Sequence, residues 1–261
     1  MRYTDLADEL YHAPEDALPA GVRVATAKRG GVTVTRVEIA REGLERPRGR
    51  YVTLEVPRVS LLDERDESVI EPAAAELRAL LPAAGPVLVL GVGNRRITAD
   101  ALGPRTVQRV LVTMGAGTAP PVRGLRPVAA VAPGVAAATG LSLQQMAAAL
   151  VAQLRPAALL CVDSLCSAEG QRLGRTVQFS DTGLYPAQAD HARHLTRETL
   201  GVPVLAAGIP TLMQAQEGAD LVVTPRALDS VIAHGAALLA GAINRALQPR
   251  LSVQQLCWLT G

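Results

Sequence analysis

From residue 86 onward, short apolar segments typical of buried strands alternate with longer segments of helical periodicity. Segment 86–93, PVLVLGVG, is continuously apolar, as expected for a strand of a parallel sheet that is covered on both faces. Strands separated by helices predict right-handed crossovers, and therefore an α/β fold with a doubly wound, mostly parallel sheet flanked by helices. The further strands are predicted at 127–132, 157–162, 175–180 and 203–208, and the helices at 100–114, 142–154, near 190–200 and at 226–247. Ser142 is the predicted N-cap of the helix at 142–154.

The first quarter of the chain has a different pattern, in which strand follows strand. Alternating residues from Val22, the segment VTVTRVEI (32–39) and the segment YVTLEV (51–56) predict three strands joined by turns. We expect an N-terminal antiparallel β extension or subdomain over residues 1–60, followed by an α/β core over residues 61–261. A helix at 62–82 would begin that core.

Composition excludes several classes of protein. The 261 residues are 49% hydrophobic with a net charge of +2, so the chain is not disordered. Its 26 cationic residues nearly balance 24 acidic ones, and aromatic residues make up 2%, which disfavours nucleic acid as a partner. No run of 18 apolar residues and no N-terminal apolar signal region occur, so we expect no membrane partner and a cytoplasmic protein.

Two aspartates lie where strands of the predicted sheet end. Asp163 follows the strand at 157–162, and Asp100 lies in the loop GVGNRRITADALGP (91–104). Ligands of open α/β sheets gather at the carboxyl ends of the strands. Two carboxyl groups close together can share one proton, so that one acts as a base toward water and the other as an acid toward the substrate.

Each of these aspartates also has a structural interpretation. Asp100 could serve as an N-cap or first-turn acid of a helix, and Asp163 could accept backbone N–H groups and shape its loop. Asn94 could bond backbone groups or help to stabilise an oxyanion. The loop lacks both the third glycine of a dinucleotide fingerprint and the Gly-Lys-Ser/Thr of a phosphate-binding loop, so no cofactor is predicted.

Other chemistry-bearing residues give weaker signals. Asp181, in Asp-Thr-Gly, is a further candidate for substrate binding, although the triplet is more typical of a turn than of a protease. His191 and His194 are three residues apart without a third ligand nearby, and the cysteines lack zinc-site spacing, so no metal site is predicted. No Gly-x-Ser-x-Gly elbow occurs, which disfavours a serine hydrolase.

Taken together and in order, these motifs resemble the germination protease (spore protease) family, and the resemblance covers nearly the whole chain. The family is distantly similar to hydrogenase maturation proteases, which have a comparable Gly-x-Gly-Asn loop and strand-end aspartate. The matching stretches are YTDLADEL, YVTLEVP, GVGNRRITADALGP, RPVAAVAPGVAAATG, CVDSLCS, TVQFSDTG, ETLGVPVLAAGIPTL and LVVTPRALDSVIAHGAALLAGAINRAL.

The resemblance implies an endopeptidase that degrades small acid-soluble spore proteins in the spore core, assembles as a homotetramer and is made as an inactive precursor. The two aspartates proposed as catalytic in the family fall on Asp100 and Asp163. The family prefers acidic residues before the cut, which implies an arginine that reads them. Arg95, Arg105 and Arg172 are the candidates.

The chain departs from the family pattern in three places, and these leave two alternative functions open. It begins about where the mature family enzyme begins, its 184–191 loop lacks the usual glycine-rich sequence and histidine, and its 212–221 segment is short. One alternative is a non-catalytic relative that binds small basic proteins. The other is a nickel-dependent peptidase of the hydrogenase maturation type, with Asp100 and Asp163 as metal ligands and His191 in place of the usual histidine.

Overall fold

The computed structural model describes residues 3–14, 17–115, 123–185, 194–215 and 221–260. Its strands are β1 (Val22–Arg29), β2 (Val32–Ile39), β3 (Gly49–Glu55), β4 (Val87–Gly91), β5 (Val128–Val131), β6 (Ala158–Cys166), β7 (Thr176–Ser180), β8 (Val204–Gln214) and β9 (Val222–Val223). Its helices are α1 (Ala7–Leu10), α2 (Glu67–Leu80), α3 (Leu102–Val107), α4 (Ala136–Thr139), α5 (Leu143–Leu154), α6 (Arg197–Leu200), α7 (Leu228–Leu247) and α8 (Val253–Thr260).

One mixed sheet contains all the described strands. Its order is β1-β2-β3-β7-β8-β6-β4-β5, with β9 paired to the end of β8. Parallel pairing joins β8, β6, β4 and β5, whereas β1, β2, β3 and β7 form an antiparallel series whose last strand pairs antiparallel with β8. The predicted α/β class and N-terminal antiparallel strands are confirmed, with parallel pairing confined to those four strands. The division at residue 60 stays a prediction.

Helices cover both faces of the sheet, because successive side chains of a strand point to opposite sides. On one face, Leu160 of β6 lies in a cluster with Ile70 of α2 and Leu239 of α7. On the other face, Cys161 of β6 lies in a cluster with Ala147 of α5. The doubly wound arrangement predicted from the alternating pattern follows directly from these two apolar layers.

The longest described helix, α7, is a core helix. By length and composition it is the one described helix that could cross a membrane, but 72% of its most apolar window is buried inside the protein. Its Asn244 side chain accepts a hydrogen bond from the backbone N–H of Leu111 at 2.8 Å and donates to the carbonyl of Arg109 at 2.9 Å. The burial and these contacts are those of a helix packed within the fold.

Two local predictions have different outcomes. Ser142 caps α5 in a reciprocal capping box with Gln145, which confirms it as the N-cap. The helix predicted at 100–114 is wrong in length, because α3 ends at Val107. Beyond it the backbone N–H of Leu111 bonds α7 and that of Thr113 bonds the carbonyl of Val128, so the chain runs beside β5 instead of continuing the helix.

Candidate active site

The predicted strand end at residue 162 is wrong, because β6 continues to Cys166 and Asp163 lies inside it. Asp163 is in one row across the sheet with residues of two other strands. It pairs with Gly208 of β8, which in turn pairs with Gln178 of β7. Alternation along β6 puts Asp163 on the same face as Cys161. Its carboxylate is partly buried and accepts a hydrogen bond from the backbone N–H of Ser164 at 2.8 Å.

Asp100 is held in a short 3-10 turn (Thr98–Asp100) before α3. Its Oδ2 accepts a hydrogen bond from the backbone N–H of Asn94 at 2.7 Å. Gly93 has a φ of +116°, and a Cβ there would lie 2.1 Å from the Asp100 carbonyl oxygen, so only glycine fits under the aspartate. From the other side, the hydroxyl of buried Thr211 on β8 donates to the carbonyl of Ala99 at 3.2 Å.

The two aspartates are brought together by close packing of β4, β6 and α3. The backbone N–H of Val92 donates to the carbonyl of Val162 at 2.8 Å, which extends the β4–β6 pairing into the loop. At the start of α3, a Cβ on Gly103 would lie 2.3 Å from the carbonyl oxygens of both Val92 and Val162. The turn that carries Asp100 therefore lies beside β6 where its pairing with β4 ends, next to Asp163.

Both carboxyl groups have raised pKa values, and the charge of Asp100 contributes to the shift at Asp163. Burial raises the pKa of Asp163 to about 8, the Ser164 N–H opposes this shift, and the negative charges of Asp100 and Asp5 add to it. Burial also raises the pKa of Asp100, and the hydrogen bond from the Asn94 N–H opposes that shift. At neutral pH, therefore, Asp163 retains its proton.

Comparison with known proteins shows the family of the chain. The sequence model of the germination protease family matches residues 6–218. The chain belongs to the germination protease family. The germination protease of Clostridium acetobutylicum is 30% identical over 317 residues, covering 97% of each chain. That of Bacillus velezensis is 35% identical over 232 residues, covering 81% of this chain and 63% of the relative.

Family membership confirms the resemblance derived from the motifs and assigns a protease role to the chain. Among solved structures, the [NiFe] hydrogenase maturation protease HycI from Thermococcus kodakarensis aligns with a TM-score of 0.36 and 15% identity, over 64% of this chain and 98% of that one.

The remaining predicted site residues of this germination protease relative occupy different environments. Arg95 lies exposed in the loop before Asp100, and Arg105 lies exposed on α3 just after it. Asn94 is partly buried, and its Oδ1 accepts from the backbone N–H of Arg96 at 3.0 Å, which leaves its NH2 group as the end that could donate. Asn94, Arg95 and Arg105 are thus within a few residues of Asp100.

The other two predicted site residues, Arg172 and Asp181, bind side chains of other elements. The Arg172 guanidinium is mostly buried and forms an ion pair with Asp8 at 2.6 Å and a longer one with Glu9 at 3.7 Å. Asp181 accepts from the backbone N–H and the Nε of Arg50, both at 2.7 Å, and so fixes the start of β3. Because β7 runs antiparallel to β8, Asp181 also leaves the sheet toward the end opposite Asp163.

Sequence reasoning missed Asp5 and Thr211 as parts of the site. Asp5 belongs to the YTDLADEL motif, which was the one available signal, but nothing in its spacing predicts contact with β6. Among the described residues no three His, Cys, Asp or Glu side chains cluster as a metal site, so nothing there favours the nickel alternative. His191 lies outside the described residues, as does most of the 184–191 loop.

Proposed function

We propose that this protein is an endopeptidase that hydrolyses small acid-soluble spore proteins, with Asp100 and Asp163 activating water. The observation that carries the proposal is the pair of partly buried, electrostatically coupled carboxyl groups, one on β6 and one on the turn before α3. Such a pair holds one proton across neutral pH, as an acid–base reaction requires. The substrate class comes from the family resemblance.

Each carboxylate accepts one backbone N–H, and the two roles are proposed because burial raises the pKa of Asp163 to about 8 and raises that of Asp100 less. Asp100 accepts the Asn94 N–H, which favours its ionised form, so Asp100 is the base that takes a proton from water. The resulting hydroxide attacks the scissile carbonyl carbon. Asp163, protonated at neutral pH, donates its proton to the amide nitrogen as the C–N bond breaks. Transfer of the proton from Asp100 to Asp163 restores the starting state.

Residues near Asp100 would bind the substrate. The NH2 group of Asn94 would donate to the developing oxyanion. The exposed guanidinium groups of Arg95 and Arg105 would pair with the acidic side chain before the cut, since they lie beside the base and Arg172 is engaged by Asp8. A homotetramer in the spore core and synthesis as a precursor belong to the same proposal and rest on the resemblance alone.

The test is cleavage of a purified small acid-soluble spore protein, followed by mass spectrometry. Asp100→Asn and Asp163→Asn should each lower kcat by about a hundredfold or more, because each removes a proton-transfer group. Asp181→Asn is the matched control, since it changes an aspartate that binds Arg50, and it should keep the wild-type rate.

Three results would contradict the proposal. Full activity of Asp163→Asn would remove the aspartate mechanism. Substrate binding without cleavage by the wild-type protein would support the non-catalytic alternative. Cleavage that requires added nickel would support the metallopeptidase alternative.

A further inference from the structure

The N-terminal segment Tyr3–Tyr11 packs over the sheet on the face that carries Asp163. The side chain of Gln178 accepts from the backbone N–H of Ala7 at 2.9 Å and donates to the carbonyl of Asp5 at 2.8 Å. Gln178 and Asp163 share one row through Gly208, and residues in one row point to the same face. The segment is therefore fixed to the row that contains Asp163.

Asp5 makes a two-sided contact with the end of β6. Its backbone N–H donates to the carbonyl of Cys166 at 2.8 Å, and its Oδ2 accepts from the backbone N–H of Cys166 at 2.8 Å. Its Oδ1 accepts from the Tyr3 hydroxyl at 2.6 Å and lies 3.5 Å from the Arg46 guanidinium. The β4–β6 pairing ends at Val162, whereas the residue after Cys166, Ser167, donates its backbone N–H to Leu212 of β8. Asp5 therefore binds Cys166 on the side of β6 that β4 no longer covers.

We propose that Asp5 is a positioning residue for Asp163. Asp5 fixes the end of β6 by its hydrogen bonds, and its negative charge acts on Asp163 in addition to that of Asp100. The inference rests on the proposed function of that pair. Within the described part of the chain, the titratable groups that act on Asp163 are the carboxylates of Asp100 and Asp5, and the Cys161 thiol lies on its own strand.

The charge of Asp5 makes it harder for Asp163 to lose its proton. Asp5 therefore helps to keep Asp163 in the acid form that leaving-group protonation requires. Arg46 and Tyr3 face Asp5 and hold its carboxylate in place. Asparagine at position 5 could still accept from the Cys166 N–H, so Asp5→Asn removes the charge while it retains the contact.

The test compares Asp5→Asn with Asp8→Asn, a matched change on the same segment, in the full-length protein. Asp8 binds Arg172 and Thr53, and it is not among the charges that act on Asp163. Two quantities are measured: the titration of the Asp163 carboxyl carbon by NMR with ¹³C-labelled aspartate, and the alkaline limb of the pH profile of kcat/KM. The NMR titration needs no catalytic activity.

Asp5→Asn should shift both the Asp163 titration and the alkaline limb to lower pH, whereas Asp8→Asn should shift neither. Asp5→Glu, which restores the charge, should return the limb toward the wild-type position. A titration shift in Asp5→Asn no larger than that in Asp8→Asn would overturn the inference. If the wild-type protein cleaves nothing but Asp163 still titrates lower in Asp5→Asn, the proposed function fails while the electrostatic coupling stands.

Discussion

At the scale of single residues, the proton on Asp163 decides when the site can work. Its pKa of about 8 predicts that activity falls as pH rises through that value, because the acid that protonates the leaving amine is lost. Activity also falls at low pH, where Asp100 becomes protonated and can no longer accept a proton from water. A profile of kcat/KM measured from pH 4 to pH 10 checks both limbs, and a rate that keeps rising above pH 9 would contradict these roles.

Substrate preference is also a property of single residues. Arg95→Ala and Arg105→Ala should each lower kcat/KM about tenfold for peptides with an acidic residue before the cut, because a hydrogen bond between charged groups is lost. Peptides with a neutral residue there should be cleaved at the wild-type rate. The comparison is kcat/KM for paired peptides, with Arg41→Ala, an exposed arginine at the end of β2, as the control. Equal losses on both peptides would indicate a role other than reading the acidic side chain.

At the scale of elements, the close approach of α3 to β4 and β6 positions Asp100. Gly103→Ala would place a methyl group 2.3 Å from two backbone carbonyl oxygens, and backbone there cannot move aside cheaply. The variant should lose about 3 kcal/mol of the free energy of unfolding and most of its activity. Gly31→Ala, whose Cβ would meet only the Ser68 hydroxyl at 3.7 Å, should retain both. Urea unfolding of the two variants provides the comparison, and equal stability would show that α3 moves freely.

Elements with a local signal could be predicted from the sequence, whereas pairing directions could not. The signals for the strand at 86–93 and for the Ser142 cap each lie within a few residues of sequence. The first corresponds to β4 and the second to the start of α5. The antiparallel placement of β7 between β3 and β8 depends on strands far away in the chain. The periodicity of a single segment does not predict which strands will pair with it. The end of α3 is likewise set by contacts with α7 and β5.

At the scale of the whole molecule, the candidate site is assembled from three distant parts of the chain. Asp100 and Asp163 could be singled out because each follows a buried strand of the same predicted sheet. Asp5 reaches the site only because the N-terminal segment folds back over β6 and β7, and no local pattern encodes that contact. The sequence therefore identifies candidate carboxyl groups near strand ends, although β6 continues past Asp163 to Cys166, and the tertiary fold supplies the groups that shift their pKa values.

Keeping the Asp163 carboxyl group in its buried site should lower the free energy of unfolding of the whole protein. The unfolded Asp163 carboxyl loses its proton near pH 4 and the native one near pH 8, so the unfolded state releases a proton in this window and the native state retains it. The free energy of unfolding should then fall by up to about 1.4 kcal/mol per pH unit between these values. Asp163→Asn has no proton to lose there, so its stability relative to wild type should increase from pH 5 to pH 8 while its activity is lost. Urea unfolding of both proteins at pH 5, 6.5 and 8 measures the difference, and a difference that does not change with pH would show that Asp163 is ionised in the native state throughout.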